Sequence, residues 1–301
     1  MTLMNPGPVN VTDRVRDAQL RGDLCHREPE FSDLMLLIRK NLLKAFDIEK
    51  EYSAILITGS GTAALEMAVS SCLNPDRSIL VIQNGVYGER IGKMADVYQM
   101  SKHTISYNWG EMPKLEEVEQ ALQKHSSIEV IAMVHHETTT GLLNPLPEIA
   151  LLAKRYDKRL LVDCISSLGG DTINFGQYPI DFAVGTANKC LHGLPGVSFV
   201  FHSKKDLSRI KDLPARSIYF NLVEHLKAQE QGDTLFTPAI QAHYALDAAL
   251  EELLEETVDG RIERYRKVAK DLRKGFKAIG LEFLIPESHQ SNCLTALKLP
   301  N

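Results

Sequence analysis

Residues 159–170 read RLLVDCISSLGG, and residues 181–190 read DFAVGTANKC. Each stretch contains an apolar run of strand length and carries one reactive side chain at or just past its end, Asp163 in the first and Lys189 in the second. Uninterrupted apolar runs suit strands covered on both faces, as in parallel sheets packed between helices. If both runs join one sheet, Asp163 and Lys189 converge at its carboxyl edge, where open α/β folds hold their ligands.

Outward from this pair, the same texture recurs in AILITG (54–59), SILVIQN (78–84), EVIAMVH (129–135) and GVSFVFH (196–202). Amphipathic stretches at Thr62–Leu73, Tyr87–Met100, Leu115–Lys124 and Pro147–Tyr156 lie between them. This alternation predicts an α/β fold with a mostly parallel sheet and helices on both faces. After Pro238 the pattern changes to two long helices separated near Gly260, followed by a new strand at LEFLI (281–285). The reading divides the chain into a large domain over residues 13–250 and a smaller α/β domain built from residues 1–12 and 251–301. Asn301 follows that last strand closely, so the smaller domain is expected to be unfinished, its C-terminal part missing.

Composition narrows the function. The 301 residues hold 34 basic and 39 acidic side chains with no block of like charge, which argues against a nucleic-acid stripe or a membrane-surface helix. No apolar run approaches the roughly 18 residues needed to cross a bilayer. The five cysteines form no C-x-x-C, and the start MTLMNPGPVN lacks the charged and apolar regions of a secretory signal, so a reducing cytoplasm is expected. The expected partner is a small molecule.

Three strand exits carry candidate ligand contacts. LITGSGTAALEMA (56–68) runs from a strand through Gly59, Ser60, Gly61 and Thr62 into a helix, offering backbone N–H groups, hydroxyls and a helix N-terminus to an anion such as phosphate. The same letters satisfy G-x-G-x-x-A, but a dinucleotide site wants an acid near the end of the next strand, where Gln83 and Asn84 stand instead. A plain strand-to-helix turn with a capping hydroxyl is the ordinary alternative. QNGVYGER (83–90) sets Tyr87 between glycines, able either to lie on a planar cofactor or to pack its helix on the sheet. HHETTTGLLNP (135–145) ends a strand with an acid and three threonines. It is not a zinc motif, because Thr140 occupies the second histidine position of H-E-x-x-H.

A carboxylate and an amine at one sheet edge, beside a phosphate cup, suit pyridoxal 5'-phosphate. Asp163 would keep the ring nitrogen protonated, and Lys189 would hold the aldehyde as an imine and then shuttle a proton as a free amine. The ordinary reading of Lys189 is a solvated loop lysine. The small residues Gly185, Thr186 and Ala187 before it and GLPG after it favour a tight pocket wall.

NPGPVNV (5–11), LCHREPEF (24–31), TGSGTAALE, NGVYGER, HHETTTGLLNP, VDCISSLGG, TANKCLHGLPG and GDTLFTPA (232–239) occur in an order and spacing that resemble the 2-aminoethylphosphonate:pyruvate aminotransferases. These are class V, fold-type I pyridoxal-phosphate enzymes related to alanine:glyoxylate aminotransferases. The resemblance covers nearly the whole chain. It implies Lys189 as the imine lysine, Asp163 as the pyridinium partner, and Ser60, Gly61 and Thr62 as the phosphate cup. It further implies Tyr87 and Ile165 on the two faces of the ring and the Thr139 hydroxyl near it. Thr237 matches a threonine that reaches the cofactor phosphate of a neighbouring subunit, which implies a homodimer. The substrates implied are 2-aminoethylphosphonate and pyruvate, with alanine:glyoxylate or serine:pyruvate exchange as the nearest rival. The family's substrate-binding arginine belongs to a region beyond Asn301, which leaves cofactor binding better supported than turnover. A dinucleotide oxidoreductase and a non-catalytic remnant are the rivals from other classes.

Overall fold

The computed structural model describes residues 2–299. A seven-stranded sheet forms its centre, in the order β1 (Tyr52–Gly59), β9 (Gly196–Ser203), β8 (Phe182–Thr186), β7 (Arg159–Asp163), β4 (Ile128–Val134), β2 (Ser78–Gln83) and β3 (Ser101–Ser106). The pairs β3/β2, β2/β4, β4/β7 and β7/β8 are parallel, and β9 alone runs against its neighbours β8 and β1. A short antiparallel pair, β5 (His136–Glu137) and β6 (Leu142–Leu143), closes the loop after β4. The mostly parallel sheet expected from the apolar runs is therefore present, with one reversed strand.

Alternation along the strands divides the core in two. Ala54, Leu56, Leu80 and Ile82 face one cluster, which is completed by α2 (Pro29–Ala45), α5 (Leu115–Lys124), α6 (Leu146–Arg155) and α9 (Ile240–Glu256). Ile55, Ile57, Ile79 and Val81 face the other, completed by α3 (Gly61–Ser71), α4 (Val86–Val97), α7 (Leu207–Ile210) and α8 (Leu222–Glu230). Helix α2 follows the short α1 (Asp13–Asp17), starts at Pro29, and buries Phe31, Leu34, Met35, Ile38 and Leu42 along one stripe at helical spacing.

The connections at β2 locate the site. From β2 the chain crosses through α4 on one face to β3, then returns through α5 on the other face to β4, on the far side of β2. Such a reversal opens a crevice at the carboxyl ends of the flanking strands.

Both sheet edges are managed. Edge strand β3 carries Ser101, Lys102, His103, Thr104 and Ser106, polar side chains that discourage edge-to-edge pairing. On edge strand β1, Gln229 of α8 acts as a surrogate neighbour, its amide donating to Leu56 O at 2.7 Å while its oxygen accepts from Leu56 N at 2.9 Å.

Two expectations change in the C-terminal region. The break between the long helices falls at Thr257, whose φ of +68° ends α9 and whose Oγ1 accepts from Gly260 N at 3.1 Å, so Gly260 sits in the first turn of α10 (Val258–Ala278). Among the described residues LEFLI forms no strand but an isolated bridge between Phe283 and Leu297, flanked by Leu284 N donating to Ala296 O and Lys298 N donating to Glu282 O, both at 2.9 Å. Helix α9 passes through Leu250 without interruption.

Candidate active site

Strands β7 and β8 pair in parallel with Asp163 opposite Val184, so both end at the same edge of the sheet. Strand β8 ends at Thr186, and a tight turn over residues 187–195 brings the chain back as β9. The turn is closed by His192 N donating to Lys189 O at 2.9 Å and Gly193 N donating to Ala187 O at 2.8 Å. Buried Arg261 of α10 braces it, with Nη1 donating to Cys190 O at 3.0 Å and Leu191 O at 3.1 Å. Lys189 is thus half-buried at the tip of a fixed hairpin. Its ammonium donates to Gly7 O at 3.4 Å. A methyl group on Gly7 would lie 2.3 Å from Lys189 Cδ and 2.8 Å from Nζ, so this approach requires glycine.

Asp163 is 3% exposed. Burial pushes its carboxyl up to about 7; the Ile165 N–H donating to Oδ1 at 2.9 Å opposes this, Glu137 adds to it, and the cations Arg90 and Lys189 counter it. The Lys189 charge therefore acts on Asp163, as the weakest of these influences. A dry carboxyl held near neutrality by desolvation is poised to ionise fully beside an added cation.

A chain of contacts joins the other predicted residues to this pair. Ser60 is the exposed N-cap of α3, and its side chain makes no capping hydrogen bond to the helix. At Gly61 a methyl group would fall 2.9 Å from Ile165 Cδ1, so the start of α3 packs directly on Ile165. Thr62 Oγ1 accepts from Arg90 Nη1 at 3.1 Å, and the Arg90 guanidinium lies 4.7 Å from the centre of the Tyr87 ring. Tyr87 N and Gly88 N both donate to Glu137 Oε2 at 3.1 Å. Thr139 Oγ1 donates to Glu137 Oε1 at 2.6 Å and accepts from Val86 N at 3.1 Å. These contacts link Gly61 to Ile165, and Thr62 through Arg90 and Tyr87 to Glu137 and Thr139, with Arg90, Glu137 and Lys189 acting electrostatically on Asp163.

Thr237 stands apart, on the exposed loop between α8 and α9. It lines a hollow of about 970 Å³ with His26, Arg27 and Glu28. That loop is pinned to the end of β1 by Ala239 N donating to Thr58 Oγ1 at 3.0 Å.

Several contributors escaped the sequence reading. Glu137, 0% exposed, caps the N-terminus of α4 and fixes Tyr87 and Thr139 together; its position among threonines was visible, but its service to a helix 50 residues earlier was not. Arg90 lies inside the quoted NGVYGER and was passed over. Gly7 is 182 positions from Lys189, and no local signal links them.

The donors fit pyridoxal phosphate. An uncommitted N-cap hydroxyl at a helix start suits a phosphate, the buried Asp163 suits a protonated ring nitrogen, and the Lys189 amine suits an aldehyde. Tyr87 and Ile165 supply flat and apolar flanks. Among the described residues no helix is long and apolar enough to cross a membrane.

The aminotransferase class-V family model matches residues 16–298. The chain is 35% identical over 302 residues to the 2-aminoethylphosphonate--pyruvate transaminase of Vibrio vulnificus, covering 99% of this chain and 82% of that protein. Among solved structures, the pyridoxamine-pyruvate aminotransferase of Mesorhizobium loti superposes with a TM-score of 0.92 at 27% identity, over 100% of this chain and 77% of that one. The alanine--glyoxylate aminotransferase of Nostoc sp. gives 0.92 at 29% identity, over 99% and 79%. With a crevice that presents an amine, a buried carboxyl and a free helix N-terminus, the chain belongs to the class-V aminotransferases, fold-type I enzymes that depend on pyridoxal phosphate.

Proposed function

We propose that this enzyme transfers the amine of 2-aminoethylphosphonate to pyruvate, yielding phosphonoacetaldehyde and alanine in phosphonate metabolism. The reading rests on the Lys189 and Asp163 juxtaposition at one sheet edge, and the substrate choice on the likeness to the Vibrio vulnificus transaminase. Bound pyridoxal phosphate supplies a cationic ring that accepts the electrons released at the substrate carbon.

The chain's residues do the rest. Ser60, Gly61 and Thr62 would hold the phosphate at the start of α3, with Arg90 orienting the Thr62 hydroxyl. Asp163, desolvated and otherwise near neutrality, would face the ring nitrogen and as a carboxylate favour its protonated form. Tyr87, clamped through its backbone by Glu137, and Ile165 would flank the cofactor ring, and the Thr139 hydroxyl would be available to it. Lys189 Nζ would hold the cofactor through its aldehyde and, once free as an amine, would serve as the base and acid that moves the substrate proton. The backbone brace at Cys190 and Leu191 keeps that nitrogen in reach through both half-reactions.

Thr237 would complete the phosphate site of a second subunit, which makes the working unit a homodimer. The domain division proposed is 13–250 against 1–12 with 251–301, and the working compartment is the cytoplasm. The likeness to the Nostoc alanine--glyoxylate aminotransferase favours one rival, alanine with glyoxylate, through the same cofactor residues.

Turnover assays with 2-aminoethylphosphonate plus pyruvate, and separately alanine plus glyoxylate, decide between them. Formation of alanine and phosphonoacetaldehyde by the purified chain is the expected result. Glyoxylate-dependent loss of alanine alone would move the assignment to the rival. Borohydride should fix the cofactor covalently to Lys189, and Lys189→Ala should abolish both fixation and turnover. Full activity in that variant would overturn the mechanism.

A further inference from the structure

Behind the lysine turn lies a second group of donor side chains with no part in the chemistry above. His136 of β5 is 1% exposed, and neither ring nitrogen makes a hydrogen bond of good geometry, with only the Ser166 backbone approaching the ring. A ring nitrogen of His136, a carboxylate oxygen of Asp171 and the sulfur of Cys293 lie within 4.8 Å of one another. Cys190 Sγ is 3.5 Å from Cys293 Sγ. The four residues come from β5, the loop after β7, the lysine turn and the C-terminal segment.

Part of this arrangement has a purely structural explanation. Asp171 accepts from Ser291 Oγ and from Asn292 N at 2.9 Å, which ties the C-terminal segment to the loop after β7. That explanation leaves the imidazole unaccounted for, since a dry polar group without a well-made hydrogen bond is destabilising. A cation accounts for it. The nitrogen, the carboxylate oxygen and the Cys293 sulfur make three donors of the kind zinc prefers, with a fourth position open to water.

We infer that His136, Asp171 and Cys293 form a binding site for a zinc-like divalent cation, with Cys190 beside it. The Cys293 thiol releases one proton to solvent as its sulfur coordinates, so one thiolate and one carboxylate face the two positive charges. Because Cys190 touches Cys293 and follows Lys189 directly, an occupied site braces the C-terminal segment against the turn of the reactive lysine.

The full chain, stripped with a chelator and dialysed, is titrated with zinc alone and with cobalt alone. The expected outcome is one tightly held metal per chain, a cobalt difference spectrum with sulfur charge-transfer and tetrahedral bands, and a melting temperature raised by zinc. Cys293→Ala and His136→Ala should each weaken zinc binding at least roughly tenfold. A cobalt spectrum without sulfur bands overturns the inference in the unmodified protein, whether or not the variants fold. Zinc binding undiminished in both variants, marking adventitious surface sites, overturns it as well.

Discussion

Replacing Asp163 by Asn separates the cost of a buried carboxyl from its use. In the cofactor-free chain, burial raises this carboxyl from its ordinary 3.8 to about 7. The folded state therefore retains a proton that the unfolded state has lost between about pH 4 and 7. Stability contributed by this group is full below the unfolded value and falls as pH rises through that window. Each pH unit is worth about 1.4 kcal/mol, so about three units amount to about 4 kcal/mol above pH 7, an upper bound because the fold can relax around the charge. Asparagine cannot ionise, yet its carbonyl can still accept from Ile165 N. Urea unfolding of the cofactor-free proteins should show Asp163→Asn gaining on the parent as pH rises from 5 to 7, by up to about 1.4 kcal/mol per unit, then levelling. With cofactor the order reverses, because the cationic ring supplies the charge that the parent carboxylate lacks and the variant cannot use. The variant should then bind cofactor more weakly and lose at least roughly a hundredfold in kcat, about 2.7 kcal/mol of barrier. A variant less stable than the parent by a constant margin from pH 5 to 8 would refute the desolvation argument.

Three other substitutions probe the supports. Glu137→Ala strips acceptors from the N–H groups of Tyr87, Gly88 and Thr139 and from the Thr139 hydroxyl, and should cost about 3–5 kcal/mol in urea unfolding, with Glu137→Gln restoring part of it; a loss below about 1 kcal/mol would mean the α4 terminus is capped otherwise. Gly7→Ala drives a methyl group into the Lys189 side chain at a backbone φ of +145°, so turnover and borohydride fixation should both slow at least roughly tenfold, and unchanged rates of fixation would place Lys189 elsewhere. Arg261→Met orphans the carbonyls of Cys190 and Leu191, with an expected stability loss of about 2–4 kcal/mol and a lower kcat; a fall in stability with kcat intact would confine Arg261 to a structural role.

Which parts of this architecture were legible follows from where the physics is local. Strands buried on both faces announce themselves by unbroken apolar runs, and β1, β2, β4, β7, β8 and β9 were read that way. Strand β3 has the opposite texture because it guards an edge, and its polar residues resemble a loop until a sheet is placed beside them. Helix α2 precedes the βαβ alternation that begins near Thr62, and Pro29 with its apolar stripe is its local mark. The reversal of β9 is also written in the chain. Only residues 187–195 separate β8 from β9, and a parallel crossover needs a dozen residues or more, so the two runs could only pair as a hairpin. That constraint bears on function, because it sets Lys189 on a rigid two-strand tip beside Asp163 rather than at the start of a wandering connection. Gly7, Glu137 and the cluster behind the turn lie outside such reasoning. Each acts on residues tens to hundreds of positions away, and the strand and helix periods carry no trace of those pairings until the tertiary fold has been assembled.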